Sequence, residues 1–357
     1  MTDNKTNEAP NTSPAPAKPV RKYHKKVSYS KYGYLFLIPF FLVFITFSLI
    51  PLFQTFYYSF FQYYFKQGLT QVGPNFIGFS NFATILKPSS QFWKYFGNTM
   101  ILWVCGFVPQ IIISLLLAIW FTDARLKLKF SGFFKAVTYM PNLVMAAAFG
   151  MMFLTLFSQS GPISQIAKSM GWIKEGFIFT EEVGWTRGII AFIDWLMWFG
   201  NTAILLMSGI MGIDDSIFES ARLDGANATT TFWKITMPLL MPIFVYVFIT
   251  SMIGGLQLFD VPQIFTQTTG GTDKCAMTIM MYLYNLISVS KNYGMAGALS
   301  VIIFLFTGIL SIFVFKTLVP NYKAAKAEAK AHKKRMRYVR SIHRGLEPVT
   351  EGGISHD

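Results

Sequence analysis

The 357-residue chain is 53% apolar, 17% aromatic and only 13% charged, which excludes an ordinary soluble domain and fits a polytopic membrane protein. Its net charge of +14 calls for an anionic neighbour, but the basic residues flank apolar segments, so anionic lipid and membrane topology explain them and no nucleic-acid partner is expected. Two cysteines, Cys105 and Cys275, supply neither a disulfide framework nor a Cys-based metal site.

Residues 1–20 (MTDNKTNEAPNTSPAPAKPV) have a disordered composition, and 1–30 read as a basic cytoplasmic tail. The first apolar run starts too late, is too long and lacks a small-residue cleavage site for a secretory signal, so it is expected to stay as a span. A span needs about 20 mostly apolar residues to cross roughly 30 Å of hydrocarbon. Such stretches lie near 34–53, 98–121, 132–157, 189–211, 239–259 and 297–319. Lipid leaves unpaired backbone amides unsatisfied, and no alternating barrel pattern appears, so each stretch is expected to be a helix. The fold class is an all-α membrane protein with six transmembrane helices in a domain at 31–320, followed by a second basic tail at 321–357. The aromatic run FYYSFFQYYF at 56–65 reads as an interfacial belt. The segment 276–290 (AMTIMMYLYNLISVS) is too short to span and reads as an interfacial or re-entrant helix.

Charge supports six spans. Twenty-three of the 31 Lys and Arg fall before Gly33, around Arg125 to Lys135, at Arg222 and Lys234, or in the C-terminal tail. Lys66, Lys87, Lys94, Lys168, Lys174, Arg187, Lys274 and Lys291 occupy the alternate loops. The positive-inside rule then puts both termini in the cytoplasm, whereas a seventh span would export Lys333, Lys334, Arg335, Arg337 and Arg340.

Enzymatic chemistry finds no footing. His24, His332, His343 and His356 all lie in the tails, and there is no HExxH, GxSxG or GxxxxGK[ST] motif. If ATP drives this protein, another chain must bind it.

The loop after the fourth span, Asp214 to Pro242, is cytoplasmic by this topology. Ser216 and Glu219 are spaced as a capping box that would start a short helix, with Ile217, Phe218, Ala221 and Leu223 on its apolar side. Gly225 permits a turn, and Phe232, Trp233 and Ile235 begin a second amphipathic piece before Pro238 and Pro242. Two short helices joined at a glycine would form a projecting knob, or a helix pair lying on the membrane surface.

Within the spans, an Asp at a helix centre costs about 2.5 to 3.5 kcal/mol, so Asp194 should face the bundle interior. It shares a helical face with Trp198, Asn201 and Ser208. Gln257 and Asp260 stand at the outer end of the fifth span, and Asn142 follows Pro141 in the third. Such groups either line a polar passage or hydrogen-bond helix to helix. Aromatic faces with amide and carboxylate groups suit a sugar, whose C–H faces stack on rings and whose hydroxyls need donors and acceptors.

Glu219, Ala221, Gly225, Ile235, Pro238 and the following LLMP resemble the EAA signature of ABC-importer permeases, with Ser220 in place of the family's second small residue. The resemblance covers roughly residues 30–320 and is nearest the carbohydrate-uptake branch, the maltose and glycerol-phosphate permease type. Gly78 to Asn81 with Phe92, Asn98 and Thr99, the pair Phe259-Asp260 with Thr269-Gly270-Gly271, and Tyr293-Gly294 before Ala298-Leu299-Ser300 look like further family patterns. Thr272 stands where that family generally has proline.

The resemblance implies a type I importer permease of a bacterial cytoplasmic membrane, with a second permease subunit, two nucleotide-binding ATPase subunits and an extracellular solute-binding protein as partners. ATP and Mg²⁺ would be used by those ATPase subunits, with no cofactor on this chain. Glu219, Ala221, Gly225, Ile235 and Pro238 would dock the ATPase, and Asn142, Asp194, Trp198, Gln257 and Asp260 would lie along the translocation path, with Asn201 added by the helical face it shares with Asp194. The same machinery could carry an amino acid or a polyol phosphate, though none of the path residues is Lys or Arg. A membrane scaffold or sensor with a partner-binding knob is the reading from another class, and a buried Asp194 argues against it.

Overall fold

The computed structural model describes residues 30–66, 70–123, 126 and 129–318; the tail assignments at 1–30, apart from Ser30, and at 321–357 lie outside these. The chain divides into two units, residues 1–53 and 54–357.

In the first unit, α1 (Ser30–Phe44), a π turn (Ile45–Leu49) and the start of α2 (Ile50–Tyr58) follow one another without a loop. Tyr32–Tyr58 is long and apolar enough to cross a membrane. The π turn falls just ahead of Pro51, which has no N–H to offer the carbonyl of Phe47.

The second unit holds four more helical stretches long and apolar enough to cross: α4 (Gln91–Thr122), α8 (Val183–Met211), the run Ala228–Phe265 that contains α11 (Met237–Leu256), and α14 (Tyr293–Leu318). Several outrun the apolar stretches of the sequence, because hydropathy marks the lipid-crossing part and not the helix. Thus α4 starts at an N-cap Ser90, whose hydroxyl accepts from Phe92 N–H at 3.1 Å, and its first turns bury Phe92, Tyr95, Asn98 and Thr99.

The third expected span is not one rod. It splits into α5 (Ser131–Tyr139), a 3₁₀ turn (Met140–Leu143) and α6 (Ala146–Phe157), with an 87° bend between the two halves. Pro141 withholds an N–H from the ladder and the turn tightens to 3₁₀ there, while Met140 stays helical at φ −52, ψ −42. The chain turns extended at Val144 and Met145, with ψ 136 and 138, and that is where the two halves part. The break is packed against α8, where a Cβ at Gly200 would run into the Thr138 carbonyl.

A second departure from the all-helical expectation lies at the aromatic run. After α2 the chain forms an antiparallel hairpin, β1 (Phe61–Lys66) and β2 (Thr70–Phe76), with Tyr64 opposite Val72. Alternating aromatics suit a pleated surface as well as an interfacial belt. The hairpin is tied down: the Asn81 amide, from α3 (Ser80–Leu86), donates to the Ser59 and Phe61 carbonyls at 3.0 Å each, and Phe65 N–H reaches Lys291 O.

The short 276–290 segment forms α13 (Ile279–Ser288), capped by Thr278 and buried through Ile279, Met281 and Leu286. Between α6 and α8 lies α7 (Pro162–Ser169). Polar side chains bind α4, α8 and the loop before α13 together. Arg187 donates from Nη2 to Asn98 Oδ1 at 2.7 Å and from Nε to the Cys275 carbonyl at 2.9 Å. Asn98 Nδ2 in turn donates to the Lys274 and Met277 carbonyls. Asn98 is therefore buried with both ends of its amide used.

Candidate functional site

Two regions gather the expected functional residues. The first is a cavity of about 410 Å³ walled by α8 and α11, with Gln110 of α4 and Ala146 of α6 at its side. One turn apart on α8, Asp194, Trp198 and Asn201 face it. Gln257 and Asp260 enter from the short break between α11 and α12 (Asp260–Phe265), where Phe259 leaves helical geometry at φ −135, ψ −59.

Asn142 does not line the cavity. Its Nδ2 donates to the Met197 carbonyl at 3.2 Å, holding the bent third segment against α8. Ser208, further along the α8 stripe, returns its hydroxyl to the Ile204 carbonyl of its own helix.

The polar lining falls into two sets. In one, the groups are spent on each other: Gln110 Nε2 donates to Thr202 Oγ1 at 2.7 Å, and Trp103 Nε1 to Ser251 Oγ at 3.2 Å. In the other, the side chains of Asp194, Asn201, Gln257 and Asp260 make no hydrogen bond or ion pair among the described residues, and all four open on the cavity. Asp194 is the innermost. A Cβ at Gly106 would come within 3.1 Å of its Oδ2, so a side chain at this point of α4 would press on the carboxylate. The Trp198 and Tyr246 rings are 45% and 57% exposed and flank these open polar groups.

Gln110, Thr202, Tyr246 and Ser251 were missed by sequence reasoning. A polar residue within each apolar stretch was the available signal, since Gln110 and Thr202 stand in spans that otherwise offer few such groups.

The second region is the loop between α8 and α11. Helix α9 (Asp215–Leu223) begins two residues earlier than the spacing of Ser216 and Glu219 suggests. Asp214 is the N-cap, its Oδ1 accepting from Ser216 N–H at 2.9 Å, while Glu219 is exposed and caps nothing. That N–H holds the Asp214 carboxyl below the usual carboxylate range, with the Ser216 hydroxyl adding to the effect.

The helix ends at Gly225. Ala226 N–H reaches the Ala221 carbonyl at 2.9 Å and Gly225 N–H the Arg222 carbonyl at 3.0 Å, a Schellman closure with Gly225 at φ +76. The expected second short helix is not separate. From Asn227, whose Oδ1 accepts from Thr230 N–H, α10 (Ala228–Thr231) passes through a π turn (Phe232–Thr236) straight into α11. Pro238 falls inside this continuous run, where it has no N–H to offer the Lys234 carbonyl, and a π turn again precedes the proline.

The loop projects one short helix, with Ala221 buried, Glu219 and Gly225 exposed, Ile235 half-buried, and Leu223 89% and Trp233 63% exposed. The same two helices, α8 and α11, that wall the cavity also anchor this loop.

Cavity, loop and spans together describe a membrane transport subunit. Residues 110–323 match the family described as binding-protein-dependent transport system inner membrane component, and the chain belongs to that family. It is a multi-pass inner-membrane permease rather than an enzyme.

Among its relatives, the chain is 32% identical over 295 residues to the multiple sugar-binding transport system permease protein MsmF of Streptococcus mutans, covering 82% of this chain and 97% of that protein. It is 29% identical to the lactose transport system permease protein LacF of Rhizobium radiobacter, over 80% of this chain and 94% of that one. The arabinooligosaccharides transport system permease protein AraP of Bacillus subtilis is 26% identical, over 85% and 94%. In fold, the chain is similar to a solved bacterial ABC transporter that imports the acidic polysaccharide alginate: TM-score 0.68 at 21% identity, covering 81% of this chain and 95% of that one.

Proposed function

We propose that this chain is one membrane half of an ATP-driven importer that carries a sugar or oligosaccharide through the cavity beside Asp194 and Trp198. The observation that carries the reading is the set of four polar side chains, Asp194, Asn201, Gln257 and Asp260, left without protein partners next to two open aromatic rings. Asp194 and Asn201 are half-buried and Gln257 and Asp260 exposed, and donors and acceptors unspent on the protein, gathered on one cavity, suit a ligand rich in hydroxyls, whose C–H faces stack on Trp198 or Tyr246. The three relatives named for sugars support the same solute class.

In this reading a second permease subunit completes the pathway and an extracellular solute-binding protein delivers the solute. Two ATPase subunits, which use ATP and Mg²⁺, grip the Asp214–Pro242 loop through Glu219, Ala221, Gly225, Ile235 and Pro238. Both termini face the cytoplasm. A bundle shifts between outward and inward states only by as much as its partners bind the two states differently, so the loop must transmit a rigid-body motion. Its helix is closed at both ends, by Asp214 and by Gly225, and Ala226 and Asn227 link it to the run Ala228–Thr236 that continues into α11, a short connection that suits that task.

Asp194→Ala and Trp198→Ala test the pathway in the intact complex. Both variants are expected to assemble and to hydrolyse ATP when the binding protein is present, with saccharide uptake reduced. Uptake equal to the parent in both would return the two residues to a structural role.

A further inference from the structure

The charge of the cavity specifies its solute more narrowly than the word sugar does. Its lining carries two carboxylates, Asp194 and Asp260, and no Lys, Arg or His. Asp194 has no ion-pair or hydrogen-bond partner among the described residues, and Gln110 and Thr202, the neighbouring polar pair, are committed to each other. No cation lining the cavity is available to neutralise a negative solute, and Asn201 and Gln257 are the amides that could donate to one.

Resting on the sugar reading above, we propose that the cavity discriminates by charge: it accepts neutral and amino sugars and rejects saccharides bearing a carboxylate or phosphate, with Asp194 as the residue that sets the discrimination. A solute carboxylate beside Asp194 would meet a like charge with no cation on the lining to offset it, whereas a hydroxyl or an ammonium group would supply the donor the carboxylate lacks. The fold shared with an alginate importer therefore does not carry the acidic substrate class over to this chain.

The experiment uses the full transporter in nanodiscs without the binding protein, so that delivery imposes no filter, and follows its thermal midpoint with glucose, glucosamine and glucuronate as probes. Apparent affinity is expected to be at least about tenfold weaker for glucuronate than for glucose, with glucosamine equal to or tighter than glucose. Asp194→Asn, which keeps shape and hydrogen bonding, is expected to narrow the glucose-to-glucuronate ratio several-fold while glucose binding persists. Glucuronate binding as well as glucose in the parent, or a ratio unchanged in Asp194→Asn, overturns the charge assignment and leaves the sugar cavity standing. If none of the three shifts the midpoint, the cavity is not a sugar site, and the charge assignment falls with it.

Discussion

Replacing Gly225 reads what the end of the α9 helix contributes, because within this chain the cost of a side chain there is conformational. The residue sits at φ +76, and a Cβ built on it meets nothing within 4 Å, so no clash confounds the substitution. A residue with a Cβ pays about 1–2 kcal/mol to remain in the left-handed region, and asparagine pays less because its short side chain bonds locally. What is at stake are the two closing bonds, Ala226 N–H to Ala221 O and Gly225 N–H to Arg222 O. Their opening should become about 5–30 times more frequent in Gly225→Ala, with the order Asn, then Ala, then Val in increasing severity. Amide hydrogen exchange at positions 225 and 226 in the permease without its ATPase subunits reads the opening, and ATP-dependent uptake by the assembled complex reads the consequence. Unchanged protection in Gly225→Ala, or an asparagine variant as damaged as the valine one, would refute the argument that backbone geometry is why a glycine stands here.

Other perturbations follow from particular contacts. Asn98→Ala leaves the Arg187 guanidinium without its acceptor and two carbonyls without their donor; it should lower the stability of the purified complex by about 2–4 kcal/mol, measured by thermal or denaturant unfolding. Gly255→Val drives a side chain into the Trp103 ring, and overpacking of this kind costs about 1–3 kcal/mol, readable in the same assay. Lys94 Nζ lies 2.8 Å from Asp273 Oδ1, and that hydrogen bond, with the lysine charge, holds the Asp273 carboxyl below its ordinary range. Because the folded value is depressed, the contribution is complete above the unfolded value of about 3.9 and is lost only as pH falls through the lower folded value. Exchange protection of the 272–274 turn should thus be flat from neutral to mildly acidic pH and fall in strong acid. Asp273→Asn removes that dependence, and a drop in the parent between pH 8 and 6 would contradict it.

The membrane spans were legible because their signal is cumulative: long apolar runs, and basic residues partitioned between alternate loops, do not depend on any one contact. The short length of 276–290 was likewise enough to mark α13 as too short to span. Local geometry was harder. Pro141 was visible, but a proline can kink, break or sit harmlessly in a membrane helix, and the 87° bend falls beyond it, at the extended Val144 and Met145, which carry no breaker signal of their own. The hairpin at 61–76 was hidden because an aromatic run suits an interfacial belt as well as a pleat, and its pairing depends on distant Asn81 and Lys291.

In the loop, Ser216 and Glu219 made a correct spacing at the wrong position, since Asp214 was an equally good cap two residues upstream. The second amphipathic piece merged into α11 because a π turn let the helix accommodate Pro238 without breaking. At the cavity, periodicity brought Asp194, Trp198 and Asn201 together, as any α8 helix must. That Gln257 and Asp260 meet them, and that Asn142 turns away to Met197, came from the α11–α12 break and the bend of the third segment, neither of which has a periodic signature.

The central claim is that this chain moves a saccharide only when its loop is engaged by an ATPase and its outer face is served by a binding protein. Proteoliposomes containing the complete complex, loaded with ATP and supplied with the cognate binding protein and its labelled saccharide, test it directly. Saccharide should accumulate inside, and uptake should vanish when ATP or the binding protein is withheld or when the Asp214–Pro242 loop no longer retains the ATPase. Equal saccharide entry with and without ATP, or a complex that retains no ATPase subunit, would contradict the account.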